Sequence, residues 1–317
     1  MALNKKYFIA GGAGFIGSHF VDYILNNNLG KVTVYDNYSS AGNMITEKNL
    51  NNNNLEILKE DLKDKNQLVD AINGHDMVIH LASNPDIAKA MIDPTIDFYE
   101  GTLLTHNIIE AMRKSGIKKI IYASGSGVYG DAAYTELAEN YSPMLPISTY
   151  GASKLGCEAL ICSYCYMFGM KGLAFRFANV VGDRQTHGIG FDFINKLKMD
   201  SSKLEIMGDG SQSKSYIHVS DVINAIFTTV NKSKGEFDIY NIATNDYITV
   251  NEIADIVIES MHIQQRPEYI YSGGSRGWKG DVPIVRLNSD KIRAHGWFNK
   301  YSSKEAIRLS LKQMLKS

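Results

Sequence analysis

The chain is 317 residues long, room for one large α/β domain with a smaller one attached at roughly 150 residues per domain, so a single small module is excluded. With 44% hydrophobic and 21% charged residues and a formal net charge of -1, it is neither disordered nor collagen-like and can bury a core. No overall field draws it to nucleic acid or an anionic membrane surface, so any anion must be bound locally.

Uncharged stretches such as Ala159 to Met170 fall short of the ~20 apolar residues that span a bilayer. MALNKKYFIAGGAG runs into a strand and a glycine loop without a cleavage site, so a cytoplasmic location is expected. Cys157, Cys162 and Cys165 are an odd number in one helical stretch, which reads as free thiols rather than a zinc site; no metal is expected.

In chain order, the apolar run Tyr7 to Ile9 stops at Gly11, and Phe15 to Leu25 repeats apolar residues at helical spacing. Further strands are predicted at Lys31 to Tyr35, Leu55 to Leu58, Met77 to Leu81, Ile120 to Ala123, Leu173 to Phe177 and Phe237 to Asn241. The Asn49 to Asn54 run reads as a solvated loop. Strands alternating with helices imply a Rossmann-type, doubly wound parallel sheet covered on both faces. From about Val181, glycine-rich pieces interrupt shorter helices, as in a smaller, discontinuous substrate domain. We expect residues 1–180 and 216–245 in the nucleotide-binding domain and 181–215 and 246–317 in the substrate domain.

Gly11, Gly14 and Gly17, with Phe15 and Ile16 between the last two, form a strand-to-helix turn in which backbone N–H groups can approach a pyrophosphate. Asp36 ends the second strand, 22 residues after Gly14, where a carboxylate can accept ribose hydroxyls and repel a 2′-phosphate. No Arg follows it closely, so NAD is expected over NADP; a glycine turn used only for packing is the competing reading. Tyr150 and Lys154 stand at i and i+4 of a helix, and a nearby ammonium lowers the cost of a phenolate. Lys214, Arg276 and Lys279 are cations in glycine-rich loops, suited to a diphosphate, although for Lys279 a solvated surface charge serves equally. His187 and His218 read as ordinary hydrogen-bonded residues.

GGAGFIGSH from Gly11, YDN from Tyr35, HLASNPD from His80, VYG from Val128, STYGASK from Ser148, RFANVVG from Arg176, GDGSQSKSYIHVSD from Gly208 and RGWKGDVP from Arg276 together resemble the extended short-chain dehydrogenase/reductase family over nearly the whole chain. The nearest likeness is to archaeal-type UDP-glucose/UDP-galactose 4-epimerases. The resemblance implies a cytosolic, NAD-dependent nucleotide-sugar 4-epimerase with Tyr150 and Lys154 as catalytic pair. It implies Asn37, Asp61, Leu62, Leu81, Ala82, Ser83 and Phe177 around the cofactor, Asn179 at a UDP-sugar-like substrate, and a homodimer through 102–112 and 150–166. Leu103, Leu104, Ile108, Leu155, Ala159 and Cys162 supply the apolar surface of that dimer, or else a core stripe.

Two positions depart from the pattern. Gly125 stands where the family carries a Ser or Thr that bonds the reacting sugar hydroxyl; Ser124 and Ser126 flank it, and Ser126 is favoured as its replacement. Gly101 stands where the family usually has an Asn near the cofactor. Ser126 and Gly127 provide no carboxylate of the kind that related dehydratases and decarboxylases use beside C5 and C6. The alternatives are a dehydrogenase, reductase or dehydratase of the same family, or a nucleotide-sugar-binding protein with impaired turnover.

Overall fold

A computed structural model describes residues 5–40 and 42–316; residues 1–4, where no leader is expected, lie outside them. The first half runs β1 (Lys5–Ala10), α1 (Phe15–Asn26), β2 (Gly30–Tyr35), α2 (Glu47–Leu50), β3 (Leu55–Leu58), α3 (Lys65–Ile72) and β4 (Met77–His80). A π-turn, Phe98–Thr102, leads into α4 (Leu103–Ser115), then β5 (Lys119–Gly125), a 3-10 turn at Ser126–Tyr129, α5 (Thr149–Phe168) and β6 (Lys171–Phe177). There follow β7 (Asn179–Val181), α6 (Ile189–Met199), β8 (Lys203–Ile206), β9 (Ser213–Lys214), β10 (Tyr216–His218), α7 (Val219–Thr229) and β11 (Phe237–Ile242). The chain continues through β12 (Ile248–Thr249), α8 (Val250–Ser260), β13 (Glu268–Tyr271), α9 (Asp290–Arg293) and α10 (Ser303–Met314).

All seven strands expected from the apolar runs enter one sheet, in the order β11-β6-β5-β4-β1-β2-β3. β1 pairs in parallel with both β2 and β4, so the strand order reverses there, and this reversal is where doubly wound sheets open a crevice at their carboxyl ends. All four residues of β4 and the last four of β1 are buried, as strands covered on both faces must be. The expected Rossmann-type fold is thus observed.

Contacts divide the chain into two compact units: Met1–Ser124 with Ala152–Arg176 and Val230–Tyr240, and Gly125–Gly151 with Phe177–Thr229 and Asn241–Ser317. The first has a core of Phe8, Tyr35, Val78, Ile108, Ile120, Tyr122 and Ile161 among others. The second is built around Phe193, Leu204, Ile206, Ile253, Val257 and Ile307. This division differs from the boundaries expected above, for β10 and α7 fall in the second unit. There the Tyr216 N–H donates to Ser303, the Trp297 indole to the Asp221 carbonyl, and the Lys300 and Tyr301 N–H groups to the Asp221 carboxylate.

Candidate active site

In the first unit the glycine turn is shaped by what lies behind it. Leu81 and Ala82 both donate their N–H groups to the Ala10 carbonyl. That brings the Ala82 backbone within 2.6 Å of where a Cβ on Gly11 would lie, and Gly11 has φ +78°. A Cβ on Gly17 would overlap the Gly11 carbonyl, so these two glycines are needed for the chain to pack on itself. Gly14 is different: its Cβ would meet only the Gly11 oxygen, at 3.6 Å. Gly14 is also the N-cap of α1, without a side-chain hydrogen bond to the helix N–H groups. Phe15 and Gly17 are buried while Gly14 and Ile16 stay accessible. An open, uncapped, positively polarised helix start is what a pyrophosphate requires.

Asp36 follows β2, and its carboxylate accepts the N–H groups of Ala13 (3.0 Å) and Tyr38 (2.8 Å). Burial pushes its pKa above the ordinary carboxylate value, against the lowering by those two N–H groups. Each carboxylate oxygen retains a lone pair for a ribose hydroxyl. Asn37 donates to Asp61 (3.0 Å), which also accepts the Lys63 N–H. Leu62 is buried in the first unit's core, and its carbonyl accepts from Asn107. Leu81, Ala82 and Ser83 are partly accessible just beyond β4. Phe177 is buried at the end of β6, in the second unit.

Tyr150 and Lys154 lie one turn apart on α5. Lys154 is buried and donates to the Ala123 carbonyl on β5 at 2.8 Å. Burial brings its pKa down to about 8, with Cys157, Glu158 and Asp97 opposing the shift. One turn on, Glu158 is paired with Arg176, Nη2 to Oε2 2.7 Å, both side chains almost fully buried. Ser124 donates to the same carboxylate at 2.5 Å, so its hydroxyl is committed there. His80 is buried beneath this region and kept neutral, its pKa pushed down to about 3 by burial and then by Lys154.

In the second unit, two glycines stand close to the Tyr150 ring. A Cβ on Gly125 would lie 3.9 Å from the Tyr150 hydroxyl and from its Cε1, and one on Gly127 4.0 Å from Cδ1. Gly125 is extended, φ -156° and ψ 165°, a conformation open to any residue. Ser126 lies between the two glycines at the start of the 3-10 turn and is half-buried.

Lys214 and Arg276 are held by carboxylates of their own unit. Lys214 pairs with Asp281 at 2.7 Å, and Arg276 pairs with Asp131 and donates to the Asp281 carbonyl. Asp281 also accepts the Gly277 N–H. Lys279 is exposed. Asn179 bonds through its side chain to the phenol of buried Tyr216, and His218 is engaged by Ser220. Asp281, Asp131, Glu158 and Arg176 were not singled out from sequence. Only the i+4 spacing of Glu158 from Lys154 and the nearness of Asp281 to Arg276 in the chain could have pointed to them.

The sequence profile of the NAD dependent epimerase/dehydratase family matches residues 7–243. A protein of Methanocaldococcus jannaschii, provisionally named a UDP-glucose 4-epimerase, is 36% identical over 307 residues, 95% of each chain. A crystal structure of a UDP-galactose 4-epimerase superposes with a TM-score of 0.86 at 34% identity, covering 98% of this chain and 99% of that one. One of the Thermus thermophilus UDP-glucose 4-epimerase in complex with NAD has the same TM-score at 29% identity, with the same coverage. A human dTDP-D-glucose 4,6-dehydratase is also similar, 26% identical over 97% of this chain and 89% of its own. The open Gly14 cradle and the Asp36 carboxylate fit the dinucleotide on which that family depends, and the chain belongs to the NAD-dependent epimerase/dehydratase family.

Proposed function

We propose that the chain is a nucleotide-sugar 4-epimerase acting on a UDP-sugar. The observation that carries this reading is that Gly125 and Gly127, whose Cβ positions lie 3.9 and 4.0 Å from the Tyr150 side chain, bring no carboxylate to it. Elimination of water or loss of a carboxylate calls for a further acid/base group next to the reacting carbons; inversion at one carbon does not. Similarity to proteins named as UDP-glucose and UDP-galactose 4-epimerases supports the same choice.

The chain's own residues divide the work as follows. Gly11, Gly14, Ile16, Asp36, Asn37, Asp61 and Ser83 hold NAD, which when bound supplies the hydride acceptor and donor for the sugar C4. Tyr150 takes the O4 proton and later returns it to the opposite epimer. A free phenol has a pKa of about 10, and the Lys154 ammonium stabilises its phenolate. Lys214 and Arg276 meet the diphosphate by exchanging Asp281 and Asp131 for it, and Asn179 contributes at the sugar. Lys214 offers a point charge rather than a bidentate fork.

The test is incubation of the purified protein with UDP-glucose, UDP-galactose, UDP-N-acetylglucosamine and GDP-sugars, with chromatographic separation of the C4 epimers. Interconversion with no net accumulation of NADH is expected. A 4-keto product, a decarboxylated sugar or stoichiometric NADH would assign the chain to another branch of the family. Absence of turnover with retained UDP-sugar binding would make it a binding protein.

A further inference from the structure

Gly101 lies in the π-turn that opens α4, and a Cβ there would overlap the Oγ of Ser153 on α5. Ser153 uses that space. Its hydroxyl donates to the Asp97 carbonyl, at the entrance of the turn, at 2.8 Å. A hydroxyl has a single proton, so the 2.9 Å contact with Thr102, at the exit of the turn, has Thr102 as donor. One side chain therefore clips both ends of the π-turn. The turn is also held from below: Thr105 donates to the Gly101 carbonyl (3.0 Å) and accepts from His80 Nε2 (2.9 Å). The residue after Ser153 is Lys154, whose ammonium crosses to the Ala123 carbonyl.

We propose that Ser153 is a positioning residue for Lys154, clipping α5 to the π-turn, and that Gly101 lacks a side chain to make room for that clip. Helices that carry π-turns often have them at functional sites, and here the turn gives α5 a fixed point one residue from the ammonium. The role assigned to Lys154 rests on the function proposed above; the clip itself rests on the geometry.

The experiment is a double-mutant cycle of Ser153→Ala and Gly101→Ala, read by NAD⁺ affinity in calorimetry, by the pH dependence of turnover and by melting temperature. Gly101→Ala must displace the Ser153 hydroxyl, so it should reproduce Ser153→Ala. Each is expected to weaken NAD⁺ binding by about threefold or more, and to move the acid limb of turnover upward by about half a pH unit or more as the phenolate loses its ammonium. In the double variant the Cβ added at 101 would lie 3.6 Å from the Cβ of residue 153, an ordinary contact. The double variant should therefore match Ser153→Ala alone. Additive effects, or a lower melting temperature with NAD⁺ affinity and the acid limb both unmoved, would overturn the proposal. If the wild type turns over no nucleotide sugar, the functional reading fails while the NAD⁺ affinities of the cycle still decide this one.

Discussion

Gly125→Ser should accelerate the enzyme. The extended backbone at 125 accepts a serine without strain, and the 3.9 Å from its Cβ position to the Tyr150 hydroxyl places the new Oγ within hydrogen-bonding range of the phenol. Among the described residues, its two chain neighbours aside, no backbone atom lies within 4 Å of that Cβ position. A hydrogen bond to a charged group contributes about 1.5–3 kcal/mol, and if the new hydroxyl also meets the sugar O4, which gains negative charge as its proton leaves for Tyr150, that bond strengthens in the transition state and lowers the barrier by up to that amount, about 10- to 150-fold in rate. The diphosphate cations Lys214 and Arg276 are untouched, so the gain should appear in kcat more than in KM. The assay is the initial rate of epimer formation for wild type, Gly125→Ser, Gly125→Thr and Ser126→Ala, with melting curves to confirm folding. Ser126 was the replacement expected from sequence; if the site instead runs without that hydroxyl, as Gly125 beside the phenol implies, Ser126→Ala should cost less than about threefold. A folded Gly125→Ser that is no faster, together with a tenfold or greater loss in Ser126→Ala, would refute the reasoning and give the role to Ser126.

Tyr150→Phe should bind NAD⁺ as the wild type does and lose about 10²- to 10⁴-fold in turnover; near-normal rates would remove Tyr150 from the chemistry. Asp36 should hold NAD⁺ at least about tenfold more tightly than NADP⁺, because like charges brought together cost several kcal/mol, and Asp36→Asn should erase the difference; equal titrations of the two dinucleotides by the wild type would show that Asp36 does not meet the ribose. His80 has a folded-state pKa of about 3 against 6.5 for an unperturbed imidazole. The unfolded chain therefore binds the extra proton first, and stability falls as pH drops from about 6.5 to about 3, by up to about 1.4 kcal/mol per pH unit. Urea midpoints at pH 7 and pH 4.5 should differ less in His80→Gln than in wild type, and identical losses would argue against a neutral buried imidazole. Of the residues expected at a dimer surface, Leu104 and Ile108 are buried in the first unit's own core, whereas Leu103, Leu155, Ala159 and Cys162 keep accessible surface beside exposed Tyr166 and Met167. Light scattering at micromolar concentration should give a dimeric mass that Ala159→Arg converts to a monomeric one; a monomeric wild type would leave these residues as surface.

What the sequence determined by itself is local in the chain. The apolar runs and helical spacings located every strand of the main sheet, because periodicity records which face of an element is buried. The glycine turn, Asp36 at the end of the next strand and the Tyr150–Lys154 spacing are each set within a few residues of one element, so they were legible without coordinates. The tertiary structure decided matters that depend on side chains distant in sequence. Ser124 is bound to Glu158, 34 residues away; Ser153 fills the space over Gly101; Arg276 pairs with Asp131, 145 residues earlier. The assignment of α7 to the second unit depends likewise on Asp221 meeting the chain near residue 300. Alternation along β5 could say that neighbouring residues face opposite ways, but only packing decides which of them comes beside the phenol, and one that does is Gly125, which has no side chain.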